Sequence, residues 1–237
     1  MDLRESAILG DTIGDHWYYR SKAAALMRII GPLAPGKILD VGAGSGFFSR
    51  YLLEHTGAMG AVCVDPGYEF EWDHTVAGKA IHFRHSVDAV DAGLVLMMDV
   101  LEHVDDDVGL LRWYASRVLR GTPVVVTVPA FRFLWSAHDE YLEHKRRYTL
   151  SGLEAVVRKA GLSIQCGAFY FGAVLPIAVA LRMSARLLPR NRRPAGSQLM
   201  RHDSITNALL AGVCRLELPL LRWNRLGGLT IFCLART

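Results

Sequence analysis

The stretch KILDVGAGSGFF (Lys37–Phe48) predicts both a fold and a type of ligand. An apolar strand ends at Asp40, an apolar helical pattern begins at Phe47, and between them stand Gly42, Gly44 and Gly46. Glycines allow a tight turn and a close approach of ligand to backbone, and the N-terminus of the next helix attracts anionic groups. The pattern therefore predicts a strand, loop and helix that bind a nucleotide-type cofactor.

Two further apolar runs also end in an acidic residue. Ala61–Asp65 ends 25 residues after Asp40, close to the spacing expected for a carboxylate that binds a ribose. Gly93–Asp99 is followed at once by Glu102 and His103. Because parallel strands end at the same edge of a sheet, we expect the three carboxylates to lie at one edge.

The alternation of apolar strands with helical stretches predicts an α/β fold with helices on both faces of a mostly parallel sheet. The 237 residues suit one domain, residues 1–237, and no internal repeat is visible. The four cysteines have no CxxC pairing, which favours reduced thiols and a cytoplasmic protein. The N-terminus shows no signal-peptide pattern.

In order and spacing, these motifs resemble class I S-adenosylmethionine-dependent methyltransferases. The resemblance implies a Rossmann-like sheet whose last strand is antiparallel, S-adenosylmethionine as cofactor and S-adenosylhomocysteine as product. The third glycine of a dinucleotide GxGxxG motif would stand at position 47, which Phe47 occupies, and this counts against NAD.

The resemblance also implies the cofactor site. Asp40 and the glycine loop would bind the amino acid end, Asp65 the ribose, and the residues after Arg84 the adenine. Trp17, Tyr19 and Arg20 would close over the cofactor, with aromatic packing on the sheet edge as the alternative. The implied cofactor residues of the core are Asp40, Gly42, Ala43, Gly44, Gly46, Asp65, Pro66, Ser86, Val87, Met98, Asp99 and Val100.

The segment after the predicted strand Val124–Val128 resembles the part that shapes the acceptor pocket in a bacterial group of small-molecule methyltransferases. It contains an HD pair at residues 138–139 and an HKRRY run at residues 144–148. The resemblance implies that acceptor-binding residues lie there, and the candidates are Trp135, Arg146, Arg147 and Tyr148.

Methyl transfer from a sulfonium is an in-line displacement, so the protein mainly aligns the acceptor and removes its proton. His138 is the first candidate base, with Asp139 orienting it or binding a substrate hydroxyl, and His103 and His144 are expected at the same edge. Glu102 with these histidines could also bind a divalent metal. The four residues come from different loops without the tight spacing of a metal motif, so no metal site is predicted.

Charge is distributed unevenly along the chain. Residues 155–237 contain twelve Lys or Arg and two acids, a net charge of +10, whereas residues 1–154 carry −6. No acid stands between Ala155 and His202, where five arginines lie beside apolar residues: Arg182, Arg186, Arg190, Arg192 and Arg193. This pattern predicts an anionic partner.

The same region predicts a helical hairpin, residues 171–225, inserted before the last strand. The 21 uncharged residues Gly161–Leu181 could cross a bilayer by length. They divide better into a strand, Ser163–Tyr170, and a helix, Pro176–Leu188, with a second helix from Ser204. The hairpin is either an amphipathic lid that contacts a membrane or an amphiphilic substrate, or an element that packs on the sheet or in a homodimer interface.

The leading functional hypothesis is O-methylation of a small or lipid-linked, amphiphilic acceptor by a protein at the inner face of the membrane. An N-methyltransferase acting on an amino sugar or amine is the alternative within the enzyme class. A nucleic-acid methyltransferase is disfavoured, because MMDVLEHV (Met97–Val104) stands where an NPPY-type motif would be. A non-catalytic cofactor-binding scaffold is disfavoured by the three acidic positions.

Overall fold

The computed structural model describes residues 10–32, 36–187 and 203–237. Within them, eight strands form one sheet in the order β3-β4-β2-β1-β5-β6-β8-β7. The strands are β1 Lys37–Val41, β2 Gly60–Val64, β3 Trp72–Val76, β4 Lys79–Arg84, β5 Leu94–Met98, β6 Pro123–Pro129, β7 Ser163–Tyr170 and β8 Thr230–Arg236.

Strand directions confirm the predicted Rossmann-like architecture. Strands β4, β2, β1, β5 and β6 pair in parallel, and the last strand, β8, is antiparallel to both of its neighbours. The described helices are α1 Trp17–Ile30, α2 Phe47–His55, α3 Asp107–Ala115, α4 Ala137–Tyr141, α5 Leu150–Lys159, α6 Leu175–Leu187 and α7 Ser204–Glu217. Helices α1, α2 and α7 pack on one face of the sheet, and α3 and α5 on the other.

Two local features differ from the prediction. The sequence predicts a helix over Val108–Leu119, but the helix ends at Ala115, and the Ser116 hydroxyl donates to the Trp113 carbonyl. The edge strand β3 was not expected from the sequence. It forms a hairpin with β4 through a tight turn at Ala77 and Gly78, both with positive φ, and most of its residues are exposed, so it lacks an apolar pattern.

The insertion between β7 and β8 contains α6, α7 and a 3-10 helix at Leu218–Trp223. Asp203, rather than Ser204, caps α7, because its carboxylate accepts the N–H groups of Ile205 and Thr206. Three arginines of the predicted basic cluster lie outside the described residues: Arg190, Arg192 and Arg193. Tyr170 at the end of β7 pairs with Thr230 at the start of β8, so the insertion leaves and re-enters the sheet at neighbouring positions.

Helix α7 is attached to the rest of the fold at its inner side. The Asn207 side chain accepts the Trp17 N–H at 2.7 Å and donates to the Asp15 carbonyl at 2.8 Å, and the Tyr170 hydroxyl donates to the Cys214 carbonyl. Among the described residues, one helical stretch, Ser204–Trp223, is long and apolar enough to cross a membrane, and most of it is exposed.

Candidate functional site

Three acidic side chains lie at the carboxyl-terminal edge of the sheet. Asp40 is the penultimate residue of β1, while Asp65 and Asp99 directly follow β2 and β5. Asp40 pairs with Cys63 on one side and Leu96 on the other. Parallel pairing therefore brings the three predicted carboxylates to one edge, and Asp40 is fully buried there.

The glycine loop between β1 and α2 has a conformation that side chains would disrupt. Gly42, Gly44 and Gly46 have φ values of 64°, 54° and 70°. A Cβ on Gly42 would lie 2.6 Å from Val100, and one on Gly46 would lie 2.9 Å from the Phe83 ring. The glycines thus keep the backbone close to the strand ends while leaving the loop surface without side chains.

Hydrogen bonds fix this loop on β2. The Val64 carbonyl accepts the N–H groups of Gly42 and Ala43, and the Ala43 carbonyl accepts that of Gly46. The buried Ser45 hydroxyl has no partner among the described residues. A buried, unpaired hydroxyl in a loop without bulky side chains fits a polar ligand group at this position.

Asp40 is held by the helix that follows the loop. The Ser49 hydroxyl of α2 donates to the Asp40 carboxylate at 2.7 Å. Burial raises the pKa of Asp40 to about 6, even though the Ser49 hydrogen bond acts in the opposite direction. An ionised Asp40 is therefore costly at neutral pH unless a ligand donates to it.

Asp65 connects the loop to the neighbouring strand. Its carboxylate accepts the N–H of Gly44 at 3.0 Å and that of Gly67 at 2.9 Å. The Tyr68 hydroxyl donates to the Gly44 carbonyl at 2.7 Å, and its ring packs edge-on against Phe83. Sequence analysis missed Tyr68, which follows β2 closely enough to have been considered.

The remaining predicted cofactor positions of the core lie around the same edge. Pro66 and Ser86 are exposed, and Val87 is partly buried; they follow the adjacent strands β2 and β4. Met98 and Val100 are buried at the end of β5, next to the glycine loop. Their roles toward a cofactor remain predictions.

A buried ion pair that the sequence did not predict joins α1 to this edge. Lys22 is fully buried and its ammonium contacts the Asp99 carboxylate, which also accepts the Thr127 hydroxyl at 3.0 Å. Burial acts to lower the pKa of Lys22, but the Asp99 carboxylate outweighs it and the net pKa is raised. Asp99 stays ionised for the same reason: burial would raise its pKa, but Lys22 lowers it.

The N-terminal aromatic segment lies partly in the core. Tyr19 is buried and packs against Phe47 and Phe48, as the packing alternative expects, and its contact with a cofactor stays a prediction. Trp17 packs edge-on against Phe171, and its buried indole N–H has no partner among the described residues. Arg20 is exposed at a groove of about 770 Å³ between α1, α2 and α7, whose lining includes Arg50, Tyr51 and Arg215.

In the acceptor segment, the Asp139 carboxylate holds several neighbouring groups by hydrogen bonds. Its side chain is fully buried and accepts Ser136 N–H at 2.8 Å, His144 Nδ1 at 2.9 Å and Arg147 Nε at 2.6 Å. Burial acts to raise the pKa of Asp139, but His144 and Arg147 keep it well below the usual value. Asp139 therefore holds His144 and Arg147 in place, and an orienting role of Asp139 toward His138 stays a prediction.

The surroundings of His138 favour its neutral form. Burial lowers its pKa to about 4, with nearby His144, Arg182 and Arg147 acting in the same direction and Asp139 opposing them. The imidazole is therefore neutral at physiological pH. His138 is the second residue of α4, in the segment that follows the end of β6 at Pro129.

Three residues expected to bind substrate are used to hold loops together. Arg146 donates to the Asp107 carboxylate and to the carbonyls of Val104 and Asp105. Arg147 pairs with Asp139 and donates to the Ala130 carbonyl. The buried Tyr148 hydroxyl also donates to Asp107, at 2.8 Å. Within the described residues these groups bond to the protein itself, and their contact with an acceptor stays a prediction.

Two arginines of the insertion connect it to the acceptor segment. Arg182 in α6 donates to the Leu134 carbonyl, and Arg186 donates to the carbonyls of Phe133 and Trp135. The half-buried Trp135 ring lies in the same segment. The insertion and the predicted acceptor segment are therefore joined by hydrogen bonds.

A family model described as a methyltransferase domain matches residues 15–166. A search of curated proteins found no significant match.

Three solved structures illustrate the fold. A chain described as a methyltransferase of Haloferax volcanii, solved with the Trm112 methyltransferase activator, aligns with a TM-score of 0.58 at 16% identity, over 99% of this chain and 93% of that chain. Phosphoethanolamine N-methyltransferase 2 of Haemonchus contortus, with S-adenosylmethionine, aligns with a TM-score of 0.55 at 15% identity, over 100% and 60%. A SAM-dependent methyltransferase of Archaeoglobus fulgidus aligns with a TM-score of 0.52 at 15% identity, over 92% and 94%.

We expect Asp40→Asn to raise the melting temperature at pH 7.5 by a few degrees, about 1 kcal/mol in unfolding free energy. The folded-state pKa of about 6 exceeds the ordinary 3.8, so the folded protein binds more protons between these values and loses stability as pH rises through them. The gain should vanish near pH 4. Thermal melts of wild type, Asp40→Asn and the exposed control Asp88→Asn test this, and an equal gain at both pH values would contradict it.

Proposed function

This chain belongs to the methyltransferase-domain family, and on that basis we propose that it methylates a hydroxyl group of an amphiphilic, lipid-linked acceptor at a membrane surface. The chain is an S-adenosylmethionine-dependent methyltransferase, and S-adenosylhomocysteine is its product. The observation that carries the acceptor proposal is the exposed apolar surface of the insertion, which is hydrogen-bonded to the acceptor segment.

The glycine loop fits the cofactor. The loop has no bulky side chain, and its Ser45 hydroxyl and the Asp40 carboxylate are buried polar groups without enough partners, which supports binding of the amino acid end there. In this proposal Asp65 accepts the ribose hydroxyls, and Ser86 and Val87 flank the adenine. When bound, the cofactor supplies an activated methyl group on a sulfonium.

The protein's own chemical task is to align the acceptor and to remove its proton. His138 is proposed as the base, because its lowered pKa keeps the imidazole neutral at physiological pH. Asp139, Arg147 and Ser136 fix the segment around it, so His138 is presented from a rigid support.

The acceptor is proposed to be amphiphilic because of what the insertion exposes. Leu216 is 80% exposed and Trp223 is 72% exposed. The other large apolar side chains exposed on the insertion are Ile177, Leu181, Met183, Ile205, Leu209, Val213, Leu220 and Leu226. Soluble monomers rarely expose so large an apolar surface without a partner.

A bilayer is the occupant that charge favours. Residues 155–237 carry a net charge of +10, and Arg215 and Arg222 stand among the apolar residues of this surface. Basic, amphipathic helices lie in the interface of membranes that contain anionic lipids. Because the inner side of α7 is bonded to α1 and β7, the proposal is peripheral contact from the cytoplasmic side rather than a membrane span.

We expect Asp65→Ala to weaken binding of S-adenosylmethionine and S-adenosylhomocysteine by about 10- to 100-fold, because the ribose loses a charged acceptor. Asp91→Ala, which alters an exposed carboxylate near the opposite edge of the sheet, should bind as wild type does. Calorimetric titration measures both, with NAD as a ligand that should not bind. Equal affinity in the two variants would remove Asp65 from the site.

We expect methyl-labelled S-adenosylmethionine to transfer its label to the organic-solvent phase when the protein is incubated with vesicles of bacterial polar lipid extract. His138→Ala should lower this rate by about 10²- to 10⁴-fold and leave cofactor affinity unchanged, because only the base is lost. His74→Ala, on the exposed edge hairpin, is the control. Label that stays in the aqueous phase would contradict a lipid-linked acceptor.

We expect wild type to sediment with vesicles containing about a third phosphatidylglycerol, and less with pure phosphatidylcholine, because cationic side chains favour anionic lipid. The triple variant Leu216→Ser, Leu220→Ser, Trp223→Ser should lose at least about tenfold in vesicle affinity through lost apolar burial. The control variant carries Met59→Ser, Phe70→Ser and Leu119→Ser, which alter equally exposed residues elsewhere. Equal losses in both, or a change in oligomeric state confined to the first, would contradict membrane contact.

A further inference from the structure

The groove between α1, α2 and α7 is lined by an arginine from each of the three helices. Arg20 lies on α1, Arg50 on α2 and Arg215 on α7, and the groove has a volume of about 770 Å³. Within the part of the chain that the structure describes, no ion pair joins these guanidinium groups to a carboxylate. Because like charges repel, three unpaired arginines along one groove indicate an anionic occupant.

The charge of the groove matches that of a phosphate monoester. Glu54, exposed on α2, is the acidic residue among the described residues that line the groove. Three arginines and one glutamate leave two positive charges, with His55 counted as neutral. A phosphate monoester carries about −1.5 to −2 at pH 7, and its oxygens accept hydrogen bonds from guanidinium groups in pairs.

Arg50 is held in position beside the glycine loop. Its Nε atom donates to the Ser45 carbonyl at 3.3 Å, and its guanidinium lies over the Phe83 ring, 5.3 Å from the centroid. Both Nη groups of Arg50 have no hydrogen bond to the described residues. A fixed guanidinium with two open donor groups binds an anion with little loss of side-chain freedom.

Aromatic and apolar side chains form the rest of the groove. Phe47 begins α2, Leu218 directly follows α7, and the Tyr51 ring stacks on His55 with ring centroids 4.1 Å apart. The volume of the groove is within the range typical of small-molecule sites, about 300–1,000 Å³. An inorganic phosphate ion would fill little of it, so the groove favours a phosphate that is attached to an organic group.

The groove is separate from the candidate active site. Among the described residues that line it, Arg20 is the one that the sequence predicts at the cofactor. Asp40, Asp65 and Asp99 do not line the groove, and neither does His138. A ligand in this groove is therefore distinct from both the cofactor and the methyl acceptor.

The groove also lies away from the apolar surface of the insertion. By helical spacing, Ala211 and Arg215 are on the side of α7 opposite to the exposed Leu209, Val213 and Leu216. A membrane that contacts the exposed apolar residues would leave the groove open to water. This placement favours a ligand from solution over a lipid head group.

We propose that this groove binds a small, water-soluble organic phosphate monoester. The guanidinium groups of Arg20, Arg50 and Arg215 hold the phosphate, and the aromatic and apolar side chains contact the organic group. The inference goes beyond the proposed methyl transfer and does not depend on the identity of the methyl acceptor.

The test is calorimetric titration of the full chain with phenyl phosphate, in the absence of cofactor and lipid. We expect saturable binding of one equivalent, weaker binding of inorganic phosphate and no binding of phenol, because the site needs both the charge and the organic group. Saturating S-adenosylhomocysteine should leave the phenyl phosphate affinity unchanged, since the two sites are separate. Competition between the two ligands would assign the groove to the cofactor and overturn the proposal.

Arg215→Gln should weaken phenyl phosphate binding by at least about tenfold, because a charged hydrogen-bond donor is lost. Arg222→Gln removes the same charge from an exposed position outside the groove and should change the affinity less than about twofold, owing to screening. Glu54→Gln should tighten binding by about two- to tenfold, a gain that misfolding cannot produce.

Absence of phenyl phosphate binding, or equal losses in the two arginine variants, would overturn the proposal. Dihexanoylphosphatidic acid below its micelle concentration is the lipid probe. If it binds more than about tenfold tighter than phenyl phosphate, the groove is a lipid head-group site and the proposal of a soluble ligand is wrong. Because no methyl transfer is measured, failure of the acceptor proposal would leave these results unaffected.

Discussion

The parallel pairing of β1 between β2 and β5 is the constraint on which the site depends. It aligns the ends of three strands, so that Asp40, Asp65 and Asp99 arrive at one edge although they are far apart in sequence. The glycine loop adds no carboxylate of its own, but its left-handed residues return the chain sharply into α2. The acceptor segment follows β6, and the insertion lies between β7 and β8, so both are attached to the same sheet.

Ion pairs and hydrogen bonds connect the loops of the acceptor side. Asp139 joins the two ends of its own segment, and Asp107 joins the loop after β5 to Arg146 and Tyr148. Arg146 and Arg147 form these contacts. Two cationic residues that suggest a substrate site in the sequence therefore hold loops together in the structure. The fixed support in turn determines where His138 and His144 stand.

The sequence allowed the fold and the glycine loop to be predicted because both depend on local patterns: apolar runs, an acid at each strand end, and glycines where side chains would collide. Lys22 could not be foreseen, since a lysine near the start of an amphipathic helix ordinarily faces water, and its pairing with Asp99 requires the folded arrangement. The sequence suggests that Glu102 lies near His103 and His144, and the meeting of two distant loops brings them together. The hairpin of β3 was missed because an exposed edge strand has no apolar alternation.

The pairing of Tyr170 with Thr230 has a consequence for how this chain can change over evolutionary time. Since the insertion leaves and returns at adjacent positions of one antiparallel ladder, its length and sequence can vary without shifting the register of any strand. Strands β1 and β2, which carry Asp40 and Asp65, are separated from this junction by β5 and β6. The exposed side of the insertion can therefore diverge while the strands that align the acidic residues stay unchanged.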